Sequence, residues 1–223
     1  GLGDVYKRQL AFSAVTATLS VNAPALSPWM FLIGAYGFLF ATHALARSPW
    51  GLLTTFGFTG FIGYGIGPLL GYLMASQNGS EIVTTALGGT AFIFFGLSGW
   101  VLASRKDFSF LRGFIAAGCL VLLAAIVISL FWQMPALQLA MSVGFMFFSS
   151  AVILYQTSEI IHGGERNYIL ATITLYVSIY NIFMSLLHLL MAFSGDDNYF
   201  LLLVRYLKSL SLSGAFSFVA KRN

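Results

Sequence analysis

Long apolar runs follow one another along the chain, separated by short polar or Pro- and Gly-containing stretches. A helix needs about 20 apolar residues to cross a bilayer core of roughly 30 Å, and each run is near this length. Because only a few residues separate neighbouring runs, consecutive helices must be antiparallel neighbours. The pattern predicts an all-α membrane protein, a single bundle of seven transmembrane helices over Gln9 to Leu26, Trp29 to Ala46, Gly51 to Ala75, Ile82 to Ser104, Phe110 to Trp132, Ala136 to Ile161 and Tyr168 to Phe193.

The composition excludes a soluble globular domain. Of the 223 residues, 58% are hydrophobic and 8% are charged, whereas about a quarter of the residues in an ordinary soluble domain are charged. The single Cys119 lies inside an apolar run. A disulfide within the chain and a cysteine-based metal site are therefore excluded as well.

The net charge of +4 is best explained by topology. Short cytoplasmic loops retain Lys and Arg, so these residues mark the inner side of the membrane, and nucleic acid is not expected as a partner. The four predicted outer connections carry neither Lys nor Arg if the N-terminus is cytoplasmic. The sequence therefore predicts a cytoplasmic N-terminus, with these cations on the inner side: Lys7, Arg8, Arg47, Arg105, Lys106, Arg112 and Arg166.

The two ends of the chain fit the bundle less well. Residues 1–9 precede a short, Ser- and Thr-rich first run and are interpreted as a truncated or non-native segment. Residues 10–197 form the predicted transmembrane domain. In residues 198–223, Arg205 and Lys208 interrupt the apolar pattern, and two cations at bilayer depth would each cost a few kcal/mol. An interfacial helix or a non-native extension is expected there.

The third run carries a stripe of small residues. Gly63, Gly67 and Gly71 stand four residues apart, and this spacing lets a neighbouring backbone approach one face of the helix closely. Helix packing is the favoured interpretation. An alternative stays open, in which Gly67 and Pro68 break the helix and free carbonyl groups for an ion. The triplet Gly63-Tyr64-Gly65 resembles part of a potassium-channel filter. This interpretation is disfavoured, because the triplet lacks the flanking residues and the loop of such a filter.

The seventh run carries a stripe of polar residues at alternating steps of four and three, a pattern that places all of them on one helix face. The sixth run has a weaker counterpart in Ser142, Ser149 and Gln156, with Glu159 one turn further on. Two interpretations remain open: hydrogen bonding between the helices, or a hydrated path for ions or protons. The stripe on the seventh run consists of Thr174, Ser178, Asn181, Ser185 and His188.

The turn after the sixth run contains Glu159, His162, Glu165 and Arg166. A carboxylate-bridged metal pair would need the Glu-x-x-His element twice, and it occurs once. A solvated cytoplasmic turn with local ion pairs is therefore favoured over a metal site. The sequence also lacks phosphate-loop, nucleophile-elbow and zinc-protease motifs, so neither an enzyme nor a cofactor is expected.

Four segments resemble the transmembrane Bax inhibitor motif family, and particularly its bacterial members: Phe58 to Leu70, Ala86 to Ala91, Arg105 to Leu111 and Leu154 to Phe183. The likeness runs in order from Leu10 to Phe193. It implies a seven-helix bundle with helix 7 at its centre. For bacterial members it implies an inner-membrane protein that modulates the membrane-bound ATP-dependent protease FtsH and is its slow substrate.

For other family members, the resemblance implies a second activity, a pH-sensitive calcium leak controlled by one acid on helix 6 and one on helix 7. The flanking motifs place these acids at Gln156 and Ser178, and neither residue is acidic here. A switch made of two carboxylates sharing a proton needs groups that titrate. The favoured function is therefore FtsH modulation, with a calcium or proton leak between helices 6 and 7 as the alternative.

Overall fold

The computed structural model describes residues 2–132 and 134–194, and every regular element in this part of the chain is an α-helix. The predicted all-α class is confirmed. Residues 198–223, with their predicted extension, lie outside the described residues. The helices are α1 (Leu2–Leu19), α2 (Pro28–Leu45), α3 (Trp50–Met74), α4 (Gly79–Ser104), α5 (Leu111–Phe131), α6 (Pro135–His162) and α7 (Tyr168–Phe193).

Five of these segments are long and apolar enough to cross a membrane. They are α3, α4, α6, α7 and residues Leu111–Ser129 of α5. Helix α2 contains a shorter apolar stretch, Ile33–Leu45. Length and composition thus identify a protein with several membrane-spanning helices.

Helix α1 departs from its predicted bounds at both ends. It begins at Leu2 rather than Gln9, so the segment interpreted as truncated or non-native forms the first turns of this helix. It ends at Leu19 rather than Leu26. Pro24 explains the early end, because its ring cannot donate a backbone hydrogen bond and clashes with the preceding turn. Hydropathy marks the apolar part of a helix, whereas backbone hydrogen bonding continues into its polar ends.

Local sequence signals set several helix ends. Pro28 and Pro135 stand in the first turns of α2 and α6, where a missing N–H costs nothing. Asn167 precedes α7, and its Oδ1 accepts hydrogen bonds from the N–H groups of Ile169 and Leu170. Gly163 ends α6 at a φ of 76°, a left-handed conformation that glycine adopts without strain.

The chain forms two compact units, one containing α1–α3 and the other α4–α7. In the first unit, α3 packs against both α1 and α2. Phe31 of α2 lies against Gly65 of α3, and Phe38 lies against Gly57. Residue numbers rise on α2 as they fall on α3, so the two helices are antiparallel.

In the second unit, α6 packs against both α7 and α5. Gly118 of α5 lies against Phe148 of α6, and Leu122 lies against Gly144. Residue numbers rise on α5 as they fall on α6, so these helices are antiparallel too. Helices α6 and α7 meet through a short turn at residues 163–167.

Helix α4 contacts α6 near the C-terminal ends of both helices. The hydroxyl oxygens of Ser98 and Thr157 are 3.5 Å apart, one to two turns before each helix ends. The end of α4, the start of α5, the end of α6 and the start of α7 therefore meet at one end of this unit. Its cations Arg105, Lys106, Arg112 and Arg166 belong to that end.

Candidate functional site

The polar stripe of α7 lies mostly away from the molecular surface. Ser178 and Ser185 are buried, and Thr174, Asn181 and His188 are half-buried. A polar face of this kind would be unfavourable against lipid, because hydrocarbon offers no hydrogen-bond partners. The stripe thus belongs to the protein interior or to a polar contact.

The corresponding polar residues of α6 are buried as well. Ser142, Ser149 and Gln156 are at most 7% exposed and stand seven residues apart, on one face of the helix. Helix α6 packs directly against α7. Polar residues thus occupy buried faces on two helices that are neighbours.

Two hydroxyl groups of these faces donate hydrogen bonds within their own helices. Ser178 Oγ donates to the carbonyl oxygen of Thr174 at 2.9 Å. Ser142 Oγ donates to the carbonyl oxygen of Gln138 at 3.1 Å. Serine commonly bonds the carbonyl four residues earlier in a helix. Both hydroxyl protons are therefore donated within their own helices, and the hydrogen bonding between helices that the sequence pattern suggested stays a prediction.

Two polar atoms of α6 are left without a hydrogen-bond partner among the described residues. They are Ser149 Oγ and Gln156 Nε2. A buried amide or hydroxyl group without a partner costs about 1–3 kcal/mol. Such a pair, two turns apart on one face, is suited to binding water or another small polar species.

A similar amide lies in α1. Gln9 is fully buried, and neither its Nε2 nor its Oε1 has a hydrogen-bond partner in the described part of the chain. The sequence pattern marks Gln9 only as the first residue of the first predicted span. Its burial depends on packing, and no local sequence signal indicates it.

Glu159 lies beside a cation that the sequence placed in another helix. Arg112 Nη2 is 3.9 Å from a carboxylate oxygen of Glu159. The Arg112 guanidinium also donates to the hydroxyl oxygen of Tyr155, at 3.1 Å from Nε and 2.9 Å from Nη2. The two partners are more than 40 residues from Arg112 along the chain, so no short motif could have revealed this cluster.

The connection between α4 and α5 is fastened to the end of α6. The backbone N–H of Phe108 donates to Ser158 Oγ at 3.0 Å, and the Phe108 ring is buried. His162 Nδ1 lies 2.9 Å from the carbonyl oxygen of Ser158, a residue of the same helix. His162 thus completes the last turn of α6.

Several local contacts define the conformation of this connection. Arg105 has a φ of 50°, which is uncommon for a residue with a side chain. The Lys106 ammonium group lies 5.7 Å from the centre of the Trp100 ring. Asp107 accepts a hydrogen bond from the backbone N–H of Ser109 at 2.8 Å, and hydrogen bonding to Ser109 lowers the pKa of the Asp107 carboxyl group. Asp107 is therefore ionised at neutral pH.

The turn between α6 and α7 is also locally bonded. Glu165 Oε1 accepts a hydrogen bond from the backbone N–H of Asn167 at 2.7 Å. Arg166 is exposed. Glu165 thus supports Asn167, the residue that precedes and caps α7, while Arg166 stays available to solvent or to a partner.

The glycine stripe of α3 faces α1. A Cβ atom added to Gly63 would meet the backbone oxygen of Ser13, and one added to Gly71 would meet that of Val21. At Gly67 the same atom would meet the backbone oxygen of Ala17. The residue numbers of the contacting pairs rise together on both helices, so α1 and α3 run in the same direction. Glycine is needed here because the two backbones touch.

Pro68 does not interrupt α3. The helix continues from Trp50 to Met74, and Pro68 is buried within it. The alternative in which Gly67 and Pro68 break the helix to expose an ion site is therefore wrong. Packing against the rest of the protein retains proline in a transmembrane helix despite the lost hydrogen bond.

Comparison with known proteins gives a consistent result. Residues 8–195 match the family model described as inhibitor of apoptosis-promoting Bax1. The chain is 55% identical over 190 residues to an uncharacterized protein of Pseudomonas aeruginosa, covering 84% of this chain and 86% of that protein. It is 50% identical over 190 residues to the modulator of FtsH protease YccA of Escherichia coli, with the same coverage.

A more distant relative is an uncharacterized membrane protein of Vibrio cholerae, 38% identical over 185 residues, which are 82% of this chain and 83% of that protein. In another Escherichia coli strain, a protein that is 50% identical over 190 residues, covering 84% of this chain and 86% of that protein, is named inner membrane protein YccA. Together with the long apolar helices, these similarities identify a multi-pass protein of the bacterial inner membrane.

Proposed function

The chain belongs to the Bax1-inhibitor family, and from that membership we propose that it modulates the membrane-bound protease FtsH. One observation carries the proposal: half of the residues are identical to those of the YccA modulator over 86% of its length. This similarity extends over 84% of the chain and supports a shared mode of action. The chain would also be a slow substrate of the protease, in keeping with the family resemblance.

The topology proposed with this function is a seven-span bundle with α7 at its centre and the N-terminus in the cytoplasm. The placement of cations within each unit supports it. In the first unit α1 and α3 are parallel, so Lys7 and Arg8 of α1 and Arg47 before α3 share one end. In the second unit the cations again share one end, as expected for loops that stay on the cytoplasmic side.

Two buried polar positions, one on α6 and one on α7, favour a modulator over a proton-operated channel. Gln156 and Ser178 occupy the positions where the family resemblance places two acids, and neither side chain titrates near neutral pH. A partner protein would instead contact the cytoplasmic connections, where Arg166 is exposed.

The test uses the full chain in Escherichia coli cells that lack their own YccA. We expect the chain to co-purify with tagged FtsH and to lengthen the half-life of an FtsH membrane substrate as its expression rises. Cells with an ATPase-inactive FtsH are the control, because substrate half-life there should not respond to the chain. Absence of co-purification together with an unchanged half-life would eliminate the proposal.

A second candidate function is a calcium or proton leak along the α6–α7 contact. The observation that favours it is the pair of buried atoms without partners, Ser149 Oγ and Gln156 Nε2. If this face is hydrated and conducts, replacing Gln156 with leucine should abolish the flux, since leucine removes the polar atoms at similar volume. Flux into proteoliposomes across acidic and neutral pH measures this. A parent protein no leakier than empty vesicles would eliminate the channel.

A further inference from the structure

The α4–α5 loop, residues 105–110, lies where two candidate membrane spans end. Helix α4 finishes at Ser104, and the next apolar span begins at Leu111. Since both segments are long enough to cross the bilayer, the residues between them belong at the level of the lipid headgroups. This placement holds whichever side of the membrane the loop occupies.

The side chains around the loop change from apolar to cationic over a short distance. Trp100 is half exposed, and Phe110 and Phe114 are exposed. Arg105 and Lys106 are exposed next to them. Tryptophan at the interface with cations beyond it matches the boundary between acyl chains and phosphate groups.

The backbone of the loop is anchored before any ligand arrives. The Phe108 ring is buried and contacts Trp100 at a ring separation of 5.5 Å, while its backbone N–H bonds Ser158. The ammonium group of Lys106 lies over the ring of Trp100, which is the same ring that Phe108 contacts. A ligand therefore would not have to order the backbone, which lowers the entropic cost of binding.

The acids near the loop leave a cationic excess. Asp107 is the acid of the loop itself, and it is engaged with Ser109. Glu159 faces Arg112 at 3.9 Å. The two positive charges of Arg105 and Lys106 thus exceed the one negative charge of Asp107, and the loop has a net charge of about +1.

Arg105 itself is held in an unfavourable backbone conformation. Its φ of 50° is one that glycine adopts freely and that costs other residues about 1 kcal/mol or more. An arginine side chain at this position places a cation beyond the end of α4.

We propose that the α4–α5 loop binds the phosphate headgroup of an anionic phospholipid, with Arg105 and Lys106 facing the phosphate and Trp100 contacting the acyl chains. Arginine and lysine are the residues that recognise phosphate, and clustered cations at a membrane surface favour anionic lipids. The site is independent of FtsH modulation.

The experiment follows the fluorescence of Trp100 in a chain whose other tryptophans, Trp29, Trp50 and Trp132, are replaced by phenylalanine. The chain is placed in vesicles of equal parts phosphatidylcholine and phosphatidylglycerol, with bromine on the acyl chains of one lipid or the other. One unbalanced cation predicts an about fivefold preference for brominated phosphatidylglycerol at Trp100. High salt should reduce this preference.

Arg105→Gly is the decisive variant, because it removes the cation and also relieves the backbone, so the fold should be retained. The preference should disappear in Arg105→Gly and in Lys106→Gln. It should persist in Arg47→Gln, which removes the same charge from the connection between α2 and α3. Equal quenching by both lipids in the parent chain, or an unchanged preference in Arg105→Gly, would overturn the proposal.

Discussion

Replacing Gly67 with alanine should lower the free energy of unfolding by about 2 kcal/mol. The added methyl group would meet the backbone oxygen of Ala17 on α1 and the hydroxyl group of Ser20, which directly follows α1. A backbone oxygen cannot rotate aside, so α1 and α3 would have to separate along their whole contact. The unfolding midpoint in detergent, read from intrinsic fluorescence on heating, measures the effect.

Gly96→Ala is the matched control for this variant. A methyl group at Gly96 of α4 would meet no other atom within 4 Å. Alanine is the better helix former by about 1 kcal/mol, so this variant should keep or raise the unfolding midpoint. Equal midpoints for the two variants would show that the α1–α3 contact does not need glycine.

Replacing Phe108 with alanine should lower the free energy of unfolding by about 3 kcal/mol. The ring is buried in the second unit, between Trp100 and Phe110. Its loss would leave a cavity beneath the α4–α5 loop and weaken the backbone bond to Ser158. The same thermal measurement in detergent applies.

The control is Phe110→Ala, which removes the same ring two residues later. Phe110 is 72% exposed, so its truncation should change the midpoint by much less. A decrease of the unfolding midpoint in Phe110→Ala as large as that in Phe108→Ala would contradict the assignment of Phe108 as the buried contact of the loop.

The candidate site was only partly predictable from the sequence. Periodicity alone indicated that Ser178 and Gln156 lie on polar helix faces, because side chains repeat along a helix with a fixed period. The same periodicity could not tell which atoms those side chains bond. Ser178 bonds its own helix, and Gln156 Nε2 has no partner among the described residues.

Contacts distant along the chain were not predictable at all. Arg112 and Glu159 were both assigned to the cytoplasmic side, but nothing local to either indicated that they meet. The buried state of Gln9 and the bond from Phe108 to Ser158 are of the same kind. Each depends on which helices become neighbours.

The sequence by itself determined that this protein is helical and membrane-spanning, and it located most helix ends. It could do so because the length of an apolar run, a Pro at a helix start and a Gly at a helix end act through local sterics and through transfer into lipid. Only the tertiary structure decided that the α3 glycines face α1 and that the α4–α5 loop rests on α6. Lipid accepts almost any apolar helix face equally, so the choice of helix partners depends on close packing and on a few polar contacts.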